Sequence, residues 1–273
     1  MDKDSAVKTP ADHWDCPSDE INIAADEVHV WRASLDQDRA TILRLSTLLA
    51  PDERRRAERY YKAIDRDRFI IARGVVRSIL SIYLHISPHG LRFIYNEYGK
   101  PSLPDDQNPC ALNFNLSHSN DLALYAVVLR RNVGIDIEYM RKDFATLDIA
   151  EHFFSKDEMV SLKAVSIDQR AEAFFNCWSR KESYIKAIGT GVSYPLHGFT
   201  VSLAPDITPA LLKVDADERE TTRWQMFELK AAEGYAASLI VENPPVVLRQ
   251  WQWIISCQPA FPESPSSCNP PAR

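Results

Sequence analysis

The chain has little of what would mark a disulfide scaffold, a membrane span or a nucleic-acid binder. Its five cysteines, Cys16, Cys110, Cys177, Cys257 and Cys268, are odd in number and show no C-x-x-C spacing. Neither a disulfide framework nor a zinc site is indicated, and a reducing compartment fits better. No apolar run approaches the ~20 residues that span a bilayer, and the amino terminus is polar and acidic, so the expectation is a cytoplasmic protein without a membrane partner. Basic residues (32) are outnumbered by acidic ones (38), for a net charge of −6. General nucleic-acid binding needs a basic surface that releases counterions, so no nucleic-acid partner is expected and any phosphate site must be local. What remains, 45% hydrophobic and 26% charged over 273 residues, is ordinary for a globular protein of one large or two small domains.

The most informative stretch runs from Phe174 to Lys186. Apolar residues at 171, 174, 175, 178 and 185 recur at helical spacing, and Gly189 and Gly191 end the helix. Glu182 lies on that apolar stripe, where a lone carboxylate is expensive. An i,i+4 pair with Lys186 would answer for it, and so would a metal or a phosphate. Upstream, Val133-Gly134-Ile135-Asp136-Ile137-Glu138 alternates as a strand. Asp136 and Glu138 then share one face, either a wet edge or a hard-oxygen set suited to Mg²⁺, and Gly134 lets something approach the backbone closely.

Leu112 to Ser119 alternates and then turns polar at Ser117-His118-Ser119, a weak signal alone, without the spacing of a Ser-His-Asp hydrolase or a G-x-S-x-G elbow. Leu122 to Leu129 reads as a strand buried on both faces. Between Arg66 and Leu84 a core-facing helix is expected, with Arg66, Arg73 and Arg77 on its opposite stripe, as a solvated basic face or a phosphate grip. Ser155 to Glu158 reads as a capping box. Residues 1–27 lack periodicity and 255–273 are rich in proline and serine, so both ends are expected to be disordered around a core of 28–254. Strand, helices and strands succeed each other twice, suggesting halves of about 28–131 and 132–254.

Three stretches in order, Gly99-Lys100-Pro101 with Phe114 to Ser119, then Gly134 to Glu138, then Trp178 to Lys186, resemble the Sfp-type 4'-phosphopantetheinyl transferases. The 46 positions from Asp136 to Glu182 (182 − 136) are close to that family's separation. The resemblance implies an α/β (α+β) pseudo-dimer, a monomer of two similar halves, each a small antiparallel sheet packed with helices, with the active site in the cleft between them. It implies transfer of the phosphopantetheine arm of coenzyme A to a serine of an acyl, peptidyl or polyketide carrier protein. Asp136, Glu138 and Glu182 would then hold Mg²⁺, Glu182, Lys186 and His118 would be catalytic, and Arg73, Lys100, Pro101, Ser117, His118, Lys181 and Lys186 would contact coenzyme A. The lysines that some members carry at the start of the preceding helix are here Glu53 and Arg56. Rival readings are a metal-dependent hydrolase of the coenzyme A pyrophosphate and a non-catalytic carrier-binding module.

Overall fold

The computed structural model describes residues 14–17, 21–141 and 143–255. β1 (Glu27–Ser34) is followed by three helices, α1 (Arg39–Thr47), α2 (Pro51–Glu58) and α3 (Ala63–Leu84). A short hairpin, β2 (Ile94–Tyr95) and β3 (Pro101–Ser102), precedes three long strands, β4 (Leu112–Ser119), β5 (Leu122–Leu129) and β6 (Val133–Tyr139). Then come α4 (Leu147–Phe153), α5 (Lys156–Ala164) and α6 (Arg170–Ile188). Strands β7 (Phe199–Val201) and β8 (Leu211–Val214), the short α7 (Glu220–Arg223), β9 (Trp224–Glu228), β10 (Tyr235–Glu242) and β11 (Val247–Gln252) complete the chain. The architecture is mixed α+β, and none of the described helices is long and apolar enough to cross a membrane.

Two sheets, in the orders β11-β1-β5-β4 and β6-β10-β9, carry the cores. β5 is buried on both faces, as its continuous apolar run requires. Tyr125 and Val127 pack with Ala72, Val76, Ile79 and Leu80 of α3. Leu124, Ala126 and Val128 pack in the other direction on Ile135, Ile137 and Leu239 of the second sheet. Phe174, Tyr184 and Ile185 of α6 bury against Met226 and Ile240 on that sheet's outer side. Each such side chain removed from water contributes roughly 1.5–3 kcal/mol, so the two sheets and two long helices are held mainly by this packing.

The succession of two halves ends with a crossing. β11, expected in the second half, pairs parallel with β1, Trp31 opposite Trp251. The amino-terminal segment also departs from the expectation of disorder where it is described. Asp15 bridges to Trp251, Gln252 N–H donates to the Asp15 carbonyl at 2.7 Å, and Trp14 lies under the Arg32 guanidinium at 4.8 Å. A tryptophan and Ile21, which is buried, supply the apolar area that the polar composition around them conceals. Of the proline-rich tail, only Ile255 is among the described residues.

The basic stripe on α3 divides between the core and the surface. Arg73 and Arg77 are buried and both hold Glu53, at 2.8 and 2.7 Å, while Arg66 pairs with its neighbour Asp67 at the surface. Glu53 also caps its own helix by accepting the Ala50 N–H. A buried carboxylate needs such partners, and two arginines meet its four lone-pair sites.

β6 and α6 approach each other closely at Gly134. A Cβ there would stand 2.0 Å from the Ser183 carbonyl oxygen and 2.6 Å from the Ala187 nitrogen. Gly134→Ala is therefore expected to cost about 3 kcal/mol or more, because both obstacles are backbone atoms that cannot rotate aside. Thermal unfolding of the purified variant checks this, and a midpoint within about 1 °C of wild type would show that the strand and helix are not in contact there.

Candidate active site

The site is built where β4 meets β6, strands of different sheets, joined by side chains. The period of two along β4 aims Asn115, Ser117 and Ser119 at β6. Asn115 Oδ1 accepts the Ile135 N–H at 2.9 Å, and Ser117 Oγ donates to Asp136 Oδ1 at 2.8 Å. Ser119 Oγ donates to Glu138 Oε2 and accepts the Tyr139 N–H, both at 3.0 Å. The expected wet edge is thus absent at Asp136, which is 2% exposed.

Lys186 reaches this seam from the last turn of α6. Its Nζ donates to Asp136 Oδ1 at 2.6 Å and Ser117 Oγ at 2.8 Å. The lysine spaced to pair with Glu182 on the helix surface is therefore paired across to β6 instead. Asp136 Oδ2 stays buried without a hydrogen-bond partner. Burial first, and then the charge of Asp136, raise the carboxyls of Glu138 and Glu182 above their usual range, Glu138 to about 7. No hydrogen bond contributes to the shift of Glu182. Three acids thus share one electrostatic field, although no group of three or more His, Cys, Asp or Glu side chains among the described residues is closed into a metal site.

His118 lies between the two serines on β4 and turns the other way. The ring keeps an exposed edge, yet the protein packed around it, followed by the Lys186 and Arg68 cations, holds its pKa below the ordinary value. Arg68, on the first half of α3, is a cation acting on His118 that the stripe of arginines did not single out. Its Nε is buried without a partner, and its other contact is a long one, 3.5 Å to Asn120. A cleft of about 510 Å³ opens beside Glu138, walled by Arg141, Phe144, Phe175 and Trp178. A smaller one of about 110 Å³ is lined by Lys100, Pro101 and Phe114.

Three expected contact residues are committed elsewhere. Lys181 is 1% exposed inside the second half, paired with Glu158 at 2.9 Å and donating to the Leu196 and Phe199 carbonyls. One position from Glu182 on a helix is a turn of about 100°, which sends the two side chains to different faces. Arg73 is held by Glu53 and Tyr95. Lys100 directs its ammonium at the carbonyls of Lys186, at 2.6 Å, and Ala187, at 3.2 Å. Ser119 belongs to the polar cluster legible at the end of β4, whereas Asn115 has no role in the sequence reading, because an amide within an alternating strand has no spacing that distinguishes it from a surface residue.

A carboxylate whose folded pKa is raised opposes folding once it ionises. Between pH 4.5, the ordinary glutamate value, and about 7, the folded state binds the extra proton, so stability falls as pH rises through this window. Glu138→Gln should therefore stabilise the protein at pH 8 in chelator by about 2 kcal/mol, after discounting for solvent screening, with the gain vanishing below pH 4.5. Urea unfolding at the two pH values measures this, and a gain of equal size at both would mean that charge repulsion is not its source.

The profile of the 4'-phosphopantetheinyl transferase superfamily matches residues 132–240, and that of the 4'-phosphopantetheinyl transferase amino-terminal region matches residues 30–129. The 4'-phosphopantetheinyl transferase HetI of Nostoc sp. is 37% identical over 221 residues, 81% of this chain and 90% of the relative. The 4'-phosphopantetheinyl transferase Sfp of Bacillus subtilis is 36% identical over 163 residues, 60% of this chain and 70% of the relative. The 4'-phosphopantetheinyl transferase Gsp of Aneurinibacillus migulanus is 31% identical over 201 residues, 74% and 79% of the two chains. With both profiles matched in succession and a relative 37% identical along 90% of its length, this chain belongs to the Sfp-type 4'-phosphopantetheinyl transferase family.

Proposed function

We propose that this enzyme moves the 4'-phosphopantetheine arm of coenzyme A to a serine hydroxyl of an apo acyl, peptidyl or polyketide carrier protein, with adenosine 3',5'-bisphosphate leaving. The observation that carries the reading is the buried Asp136, half-satisfied by Lys186 and Ser117 and flanked by two acids whose pKa values it raises. Hard oxygen donors around an orphaned carboxylate oxygen suit Mg²⁺, which Asp136, Glu138 and Glu182 would hold. When bound, such an ion supplies positive charge to the phosphoryl oxygens and relieves the repulsion among the acids.

The remaining steps fall to the chain's own groups. Lys186 keeps part of its side chain exposed, 27%, so it can turn from Asp136 to a pyrophosphate oxygen as charge develops there. His118, its pKa lowered by burial and by the Lys186 and Arg68 cations, donates one ring N–H to the same group, and Ser117 keeps the Lys186 ammonium near it. Arg68, with its unpartnered donor, takes the place proposed for Arg73 in facing a phosphate of the nucleotide. The serine oxygen bonds to the β-phosphorus while the bond to the bridging oxygen of the adenosine bisphosphate breaks. Glu182, which makes no side-chain hydrogen bond in the free protein, accepts the serine proton. The cleft beside Glu138 gives the arm and the serine loop a place to meet.

Asp136→Ala and Glu182→Ala should each lower transfer by a factor of about 10³ or more while keeping the fold, because each removes charge that the transition state requires. Intact mass of apo-carriers incubated with coenzyme A and Mg²⁺ reads the reaction, and circular dichroism reads the fold. An added mass of one phosphopantetheine arm identifies the transferase, whereas coenzyme A cleavage without a carrier would identify a hydrolase. Near wild-type turnover by either variant at millimolar Mg²⁺ would sink the ligand assignment.

A further inference from the structure

Lys100 belongs to the turn of the β2–β3 hairpin, in the first half of the chain. The turn is stiffened by Asn96, whose Oδ1 accepts the N–H groups of Tyr98 and Lys100 at 3.0 and 2.8 Å. The hairpin then grips the second half with two side chains. Asn96 Nδ2 donates to the Gly189 carbonyl at 2.8 Å. Lys100 Nζ donates to the Lys186 carbonyl at 2.6 Å and the Ala187 carbonyl at 3.2 Å, with the Val133 carbonyl at 3.5 Å.

These carbonyls have a particular place in the fold. The last carbonyls of a helix lack partners within it, and they carry the negative end of its dipole, so an ammonium there is favourable twice over. Val133 begins β6, and Lys186 and Ala187 lie in the last turn of α6. The contact therefore lies where the strand bearing Asp136 and Glu138 meets the helix bearing Glu182 and Lys186, next to the close approach at Gly134. A one-residue slip of the helix there would withdraw the Lys186 ammonium from Asp136.

We propose that Lys100 is a positioning residue, a cap from the first half that sets β6 and α6 in register and so places Lys186 and Glu182 for the reaction. Its ammonium is engaged by backbone carbonyls of β6 and α6. Desolvation pushes its pKa down to about 8, as expected for a cation enclosed by carbonyls without a carboxylate partner.

The kinetic part of the test rests on the transferase reading, and the structural part does not. In the free, full-length protein, hydrogen exchange of the amides from Lys186 to Gly189 should be at least about tenfold faster in Lys100→Met, with the peptides of β1 and β5 unchanged. In the same variant kcat for an apo acyl carrier protein should fall about tenfold. The Kd for adenosine 3',5'-bisphosphate should stay within about twofold, and Lys100→Arg should recover at least about a third of kcat. Should Lys100→Met fail to fold, Asn96→Ala removes the neighbouring grip, and a rise of about threefold in the same amide exchange is expected. Two results would overturn the proposal: unchanged exchange in the last turn of α6, or a Kd for the bisphosphate that rises in step with KM while kcat holds. Were wild type itself to transfer nothing to any carrier, the functional reading would fail and the exchange measurement would still decide the cap.

Discussion

The arrangement depends on one charge. Asp136 carries a carboxylate into the seam between two sheets, where it is 2% exposed, and a buried charge without partners costs several kcal/mol. Ser117 from one half and Lys186 from the other satisfy one oxygen. To make that meeting possible, β4 must present its hydroxyls toward β6 and α6 must lie almost on the backbone of β6, which Gly134 permits. The second oxygen is left unsatisfied, and Glu138 and Glu182 are left repelled by it. The same placement leaves the acids repelling one another, and the proposed divalent cation would relieve that repulsion. Stability given up in the free protein is recovered as binding.

Elsewhere, cations are used to neutralise buried groups that the fold itself creates. Arg73 and Arg77 serve Glu53, Lys181 serves Glu158, and Lys100 serves the end of α6. Each of these side chains is long enough to reach a partner on another element, and a buried acid or carbonyl competes effectively for it because its alternative is an unpaired state. Lys186 and Arg68 are the cations that keep some freedom beside His118. The electrostatics of the site is thus local within a chain of net charge −6.

Periodicity was sufficient for the elements that matter most. The alternation of Ile135, Asp136, Ile137 and Glu138, the helical recurrence of Phe174, Phe175 and Ile185, and the capping box at Ser155 all appear as strand, helix and cap. The glycine at 134 was legible as a close approach, though not what approaches. Less could be read where a residue's role depends on its partner. Arg66, Arg73 and Arg77 share a stripe, yet Glu53 takes only the latter two. Trp14 and Asp15 lie in a polar segment and still join the sheet next to β11.

The sequence by itself determined most of the strands and helices and, through resemblance, the family and the set Asp136, Glu138, Glu182 and Lys186 that it implies. Periodicity and spacing are local properties, and burial of an apolar face needs only that some partner exists. Tertiary structure decided which lysine of α6 faces the site, Lys186 in its last turn and not Lys181, more than a turn earlier and on another face. It decided that Lys186 pairs with Asp136 and not with Glu182, that Lys100 caps a helix from the other half, and that β11 returns to the first sheet. Each of these is a choice among partners far apart in the chain, made by the cost of leaving a particular charge or carbonyl unpaired, and that cost exists only once the elements have packed.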